Sequence, residues 1–213
     1  MSARLLNRLW WHHLPLGLVS AASVWLLYVT RDYSDVLTRL SFATAYPALV
    51  LLAATLIIGP WRTLSGKPNV ISLDLRRDIG IWAGILSVLH AGFGQFVHLR
   101  GRPWRYYIYE KWELMPVRYD MFGFSNYTGL VAALLLLALL ATSNDIALRK
   151  LGLRDWKKLQ RWNYLCFALT ALHTFGYLLG IKALRPSLIA TAALCVAAAA
   201  MLQYLGWRRR RAT

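Results

Sequence analysis

Two stretches decide the fold: IGIWAGILSVLHAGFGQFVHL at residues 79–99 and WNYLCFALTALHTFGYLLGI at residues 162–181. Each has the length that crosses a hydrocarbon core roughly 30 Å thick, and these two alone hold histidine inside an apolar run. Four further apolar runs cover residues 14–30, 40–61, 122–142 and 188–207. In lipid the backbone must satisfy its own polar groups within a segment, so each run is read as a helix. The expected class is all-α, an integral membrane bundle of six transmembrane helices, with a kink at Pro47.

Composition agrees. Of 213 residues 58% are hydrophobic and 16% charged, against about 25% charged in an ordinary soluble domain. The net charge of +16 does not point to nucleic acid, because the basic residues sit in short segments beside apolar runs. Arg4, Arg8, Arg62, Lys67, Arg76, Arg77, the six basic residues from Arg149 to Arg161, and Arg208 to Arg211 make 16 of the 25 on one side. The positive-inside rule makes that side cytoplasmic and holds both termini there. The first apolar run continues through Val24 to Leu27, past Ser20-Ala21-Ala22, so an uncleaved helix is expected rather than a signal peptide. Cys166 and Cys195 fall in apolar runs and read as free thiols. The long segment 100–121 is then outside. Its Trp104, Tyr106, Tyr107, Tyr109, Trp112 and Tyr119 form either an interfacial belt or a docking surface.

His90 lies 13 residues after Arg77 and 10 before Arg100; His173 lies 12 after Arg161 and 9 before Lys182. Both helices run the same way, so the imidazoles share a depth, where an ionisable group is costly and points to function. Two readings are open. The pair ligates haem iron from both faces, which leaves no site for oxygen and implies electron transfer, or two neutral histidines bond across helices. Gly80, Gly84, Gly92, Gly94, Gly176 and Gly180 admit either a flat macrocycle or close helix packing.

The stretch from Thr142 to Gly152, with Trp156-Lys157-Lys158-Leu159 and Tyr164-Leu165, resembles the loop and fifth helix of the MsrQ (YedZ) membrane subunits, in the ferric-reductase-like transmembrane group. Leu51 to Pro60 is similar to their second helix, and Arg76-Arg77-Asp78-Ile79-Gly80 leading to Leu89-His90 to their third. The likeness covers about residues 14–207 and implies one ferric-reductase-like transmembrane domain over residues 1–213. It further implies a haem b on His90 and His173. Electrons would enter from a cytoplasmic flavin reductase or quinol and leave to a periplasmic molybdopterin-containing enzyme that repairs methionine sulfoxide.

One position departs from the family. Where the pattern has histidine after Leu159, this chain has Gln160, a weaker ligand than imidazole. Family members use that position, with the arginine matching Arg76, for a second, inner haem. The inner haem is therefore expected to be absent, loosely held or ligated differently. His12 and His13 are either replacement ligands or interfacial residues facing headgroups. An FMN or quinone near Arg76 and Gln160 would then feed the outer haem directly. His98, eight residues beyond His90 and about 80° around an ideal helix, either meets a haem propionate, a proton or a quinone, or sits at the interface. Arg100, Arg102, Arg105 and Arg185 are cations that either pair propionates or serve topology. The Arg149-to-Arg161 cluster either grips a flavin phosphate or touches anionic membrane lipid.

No G-x-G-x-x-G opens a helix after a strand, so a self-sufficient nicotinamide-driven reductase is not expected. Two alternatives to the electron-transfer subunit stand: a small transmembrane reductase of ferric chelates or quinones, and a cofactor-free membrane scaffold.

Overall fold

The computed structural model describes residues 3–31, 33, 35–66, 72–99, 102–110, 116–180 and 186–212. Among them the chain is all-helical, with no strand beyond an isolated antiparallel bridge between Ile108 and Val117. Seven helices follow in order: α1, Ala3–Thr30; α2, Val36–Ser65; α3, Leu73–Gly94; α4, Met121–Ala141; α5, Asp145–Gln160; α6, Trp162–Gly180; and α7, Pro186–Ala212. Four of them, α1, α2, α4 and α7, are long and apolar enough to cross a membrane. The chain is a multi-pass membrane protein.

The helices match the six expected runs, with α5 in addition. The segment 145–160, read as a loop, is helical because Asn144 caps it, its Oδ1 accepting from the Ala147 amide at 2.8 Å. Its basic residues stay exposed, and the chain turns at Gly152, whose φ of +72° only glycine adopts without strain.

α3 begins earlier and ends earlier than the span 79–99. Ser72 caps its start, its Oγ accepting from Leu75 at 2.9 Å. At Gly94 the α-helix stops, and Tyr106, 1% exposed, fastens the end. Its phenol donates to the Gly94 carbonyl at 2.9 Å and accepts from the His98 amide at 2.8 Å. His98 therefore lies in a turn, and the helical angle that relates it to His90 does not apply.

Packing follows from proline and glycine. Pro60 cannot donate to the Leu56 carbonyl one turn back, and Gln203 of α7 supplies the missing donor at 2.6 Å. One turn on, Gly206 leaves room: a Cβ there would meet Pro60 Cβ at 3.0 Å. Gly84 lies against Leu140, and a Cβ on Gly180 would meet Met121 Cγ at 2.6 Å, so these two expected glycines serve helix contact. Between the helices lies a core containing Leu52, Leu56, Ala83, Leu136, Cys166 and Phe167. Cys166 and Cys195 are free thiols.

α1 is anchored by charge at the end of the bundle that holds its start. Leu9–His13 forms a π-turn, which widens the helix and brings neighbouring side chains onto one acceptor. That acceptor is Asp78 of α3, 0% exposed: His12 Nδ1 lies 2.7 Å and His13 Nε2 3.3 Å from its oxygens, and Arg8 pairs with it as well. Neither expectation for His12 and His13 includes this contact, which holds both on a buried carboxylate.

Candidate functional site

His90 and His173 come together. Their ring centroids are 6.0 Å apart with the planes at 70°. They do not bond to each other. His90 Nδ1 meets the Ser41 carbonyl of α2 at 2.8 Å, and His173 Nδ1 meets the Ser125 carbonyl of α4 at 2.7 Å. A carbonyl only accepts, so each Nδ1 carries the proton and each Nε2 keeps its lone pair. Among the described residues neither Nε2 has a hydrogen-bond partner.

The two acceptor helices use the same local device. α2 reads Ser41-Phe42-Ala43-Thr44-Ala45 and α4 reads Ser125-Asn126-Tyr127-Thr128-Gly129. In each, the serine carbonyl takes the imidazole while the threonine hydroxyl turns back onto the helix. Thr44 reaches Ser41 O at 3.1 Å and Thr128 reaches Ser125 O at 2.9 Å. The small residue four positions after serine lets the ring approach the backbone. At Gly129 the approach is obligatory, because a Cβ would lie 2.7 Å from His173 Cε1. The pattern serine, two residues, threonine, small residue is legible in the sequence once the histidines are paired with α2 and α4.

Both rings line one cavity of about 360 Å³, which also touches Ser87, Gly94, Gly129 and Leu136. That volume lies within the range of small-molecule and cofactor pockets. Among the described residues no group of three His, Cys, Asp or Glu side chains is arranged to hold a metal ion. A ligand on this pair must therefore bring its own equatorial donors.

Rings close the far end. Tyr177 lies 5.0 Å from His173, stacks on His98 at 6.0 Å, and donates to Asn126 Oδ1 at 2.8 Å. His98 lines the cavity, edge-on to Phe122 at 5.7 Å. Tyr106 packs behind, and Tyr107 meets Tyr127 at 5.5 Å. The aromatic segment thus divides: Tyr106 and Tyr107 build the lid, whereas Trp104 and Tyr119 are exposed. Trp112 lies outside the described residues.

Other expected site residues lie elsewhere. Arg76 Nε donates to the Thr55 carbonyl at 2.9 Å, and Gln160 Nε2 lies 3.5 Å from Ser143 Oγ; neither lines the cavity. Asn163 donates to Thr55 Oγ1 at 2.7 Å, so Thr55 gathers a polar layer between α2, α3 and α6. Arg102 and Arg105 both pair with Glu110. Arg100 and Arg185 lie outside the described residues. Beyond the apolar runs, Asp120 is held below the usual carboxylate range by its hydrogen bond from Arg118, and Asp145 likewise by Arg77.

No family model matches the chain, and no solved structure matches it. Curated relatives do. The protein-methionine-sulfoxide reductase heme-binding subunit MsrQ of Pectobacterium atrosepticum is 33% identical over 169 residues, 78% of this chain and 77% of the relative. The subunit of the same name from Salmonella arizonae is 29% identical over 192 residues, 87% of this chain and 88% of the relative. That of Yersinia pseudotuberculosis is 31% identical over 144 residues, covering 67% and 63%.

Proposed function

Since the chain belongs to the MsrQ family of protein-methionine-sulfoxide reductase subunits, we propose that it holds one haem b between His90 and His173 and carries electrons across the membrane. The single observation that carries this reading is the pair of imidazoles on one cavity, each with Nδ1 spent on a backbone carbonyl and Nε2 bare. His90 and His173, with ring centroids 6.0 Å apart, would hold the haem iron, and the haem would supply a one-electron couple.

The protein's part is to fix the ligands. Ser41 and Ser125 set tautomer and ring orientation, as outer partners do for metal-binding histidines. Tyr177 and His98 line the cavity toward the aromatic segment, with Phe122 and Tyr106 packed behind them, and His98 would be available to a haem propionate. With Gln160 in place of an imidazole, and His12 and His13 held by Asp78, a second haem has no ligand pair. Arg76, Asn163 and Gln160 then lie on the donor's side.

In this reading α3 and α6 also cross the bilayer, giving six spans and one domain over residues 1–213. Both termini lie on the cytoplasmic face of a bacterial inner membrane, consistent with the 16 basic residues on that side. Electrons arrive from a cytoplasmic flavin, such as FMN on a flavin reductase, or from a quinol, and pass to a periplasmic molybdopterin-containing reductase of methionine sulfoxide. The test is spectroscopic. Dithionite-reduced protein should show the sharp α-band of a low-spin, bis-histidine haem, and its absence would refute the assignment.

A further inference from the structure

We propose that a groove between the C-terminal end of α1, the first half of α2 and the start of α7 is a built site for one membrane phospholipid with an anionic phosphate head. The groove is about 290 Å³ and brings together Ser23 of α1, Arg31 just past the end of α1, Tyr46 of α2 and Ser187 of α7. Leu27 and Val50 form its apolar flank.

Three observations converge on an anionic occupant. Arg31 Nε is buried and has no hydrogen-bond partner among the described residues, and its guanidinium makes no ion pair there. Its guanidinium lies over the Phe42 ring, 5.6 Å from the centroid, so among the described residues no carboxylate balances its charge. An unpaired buried donor of this kind is costly. The hydroxyls of Ser23, Tyr46 and Ser187 also lack partners among the described residues, so several donors and a cation face one small volume. A phosphate matches that set better than a neutral carbonyl head, because it accepts several bonds and cancels the charge.

The source is the bilayer. The groove opens between helices whose outward faces are apolar, with Trp25, Leu26 and Leu194 all exposed, and an acyl chain extends along Leu27 and Val50. The site also has a structural consequence. Tyr46 and Leu188 line both the groove and the histidine cavity. A lipid seated here closes the thin wall between that cavity and the membrane while tying α1 to α7.

The experiment is native mass spectrometry with lipid extraction on the full chain purified in mild detergent. Wild type should retain about one anionic phospholipid per polypeptide. Arg31→Gln should weaken retention about tenfold, the worth of one charge-assisted bond. Val50→Trp, which fills the groove from its lipid side and leaves every donor in place, should displace the lipid too, so a fold defect in one variant does not decide the matter. After delipidation, adding phospholipid should raise the melting temperature of wild type and not of Arg31→Gln, whereas diacylglycerol, which has no phosphate, should raise neither. Equal retention in wild type and both variants, no retained phospholipid, or a neutral quinone in its place would overturn the proposal.

Discussion

Replacing Gly129 by alanine puts one methyl group where His173 now lies. The added Cβ would stand 2.7 Å from Cε1 and 3.1 Å from Cγ of the ring, which is held in place by its bond to the Ser125 carbonyl. Either the ring swings off the Ser125 carbonyl or α4 and α6 move apart. Overpacking of this kind costs about 1–3 kcal/mol, and losing the imidazole bond adds about 1 kcal/mol. Part of that cost is borne by the ligand state alone, so haem affinity should fall about tenfold to hundredfold, as when an outer partner of a metal-bound histidine is removed. Haem titration of the purified protein, followed by the Soret band, reads this directly. Gly92→Ala is the control, since a Cβ there meets nothing within 4 Å, and it should titrate like wild type. If Gly129→Ala also binds haem with wild-type affinity and spectrum, His173 is not seated for ligation by α4.

Three further outcomes follow from the scaffold. Asp78→Asn leaves Arg8 on a buried, uncharged partner and should destabilise by about 3–5 kcal/mol, seen as a large drop in melting temperature and loosening of α1 in hydrogen exchange. Gln203→Ala frees the Leu56 carbonyl at the Pro60 kink and should cost about 1–3 kcal/mol, whereas Gln203→Glu, which cannot donate when ionised, should be no better. Arg118 lowers the pKa of Asp120, so the pair's contribution is complete above the ordinary carboxylate value of about 4. It is lost as pH falls through the lowered value. Asp120→Asn should therefore show a shallower acid-side loss of melting temperature than wild type, by less than about 1 kcal/mol at this exposed site.

The helices were legible because lipid imposes length and apolarity on them, and the histidines stood out because charge is expensive at their depth. Three features were not legible, each for a physical reason. α3 was extended to residue 99 because Gln95 to Leu99 continue the apolar pattern; only Tyr106, remote in sequence, shows that the helix stops at Gly94. The contact of His12 and His13 with Asp78 was hidden because a π-turn, which no periodicity announces, turns both onto that carboxylate. Of the two readings left open for the glycines, helix contact accounts for Gly84, Gly176 and Gly180, while the one that seats a histidine, Gly129, lies on a run without histidine. Its meaning emerges only from pairing α4 with α6.

The most direct measurement is haem per polypeptide by pyridine haemochrome, on wild type, His90→Ala and His173→Ala. The account predicts about one haem in wild type and loss of the stable, low-spin haem in either variant. Full haem content in both variants with an unchanged spectrum, or none in wild type supplied with haem, would contradict it.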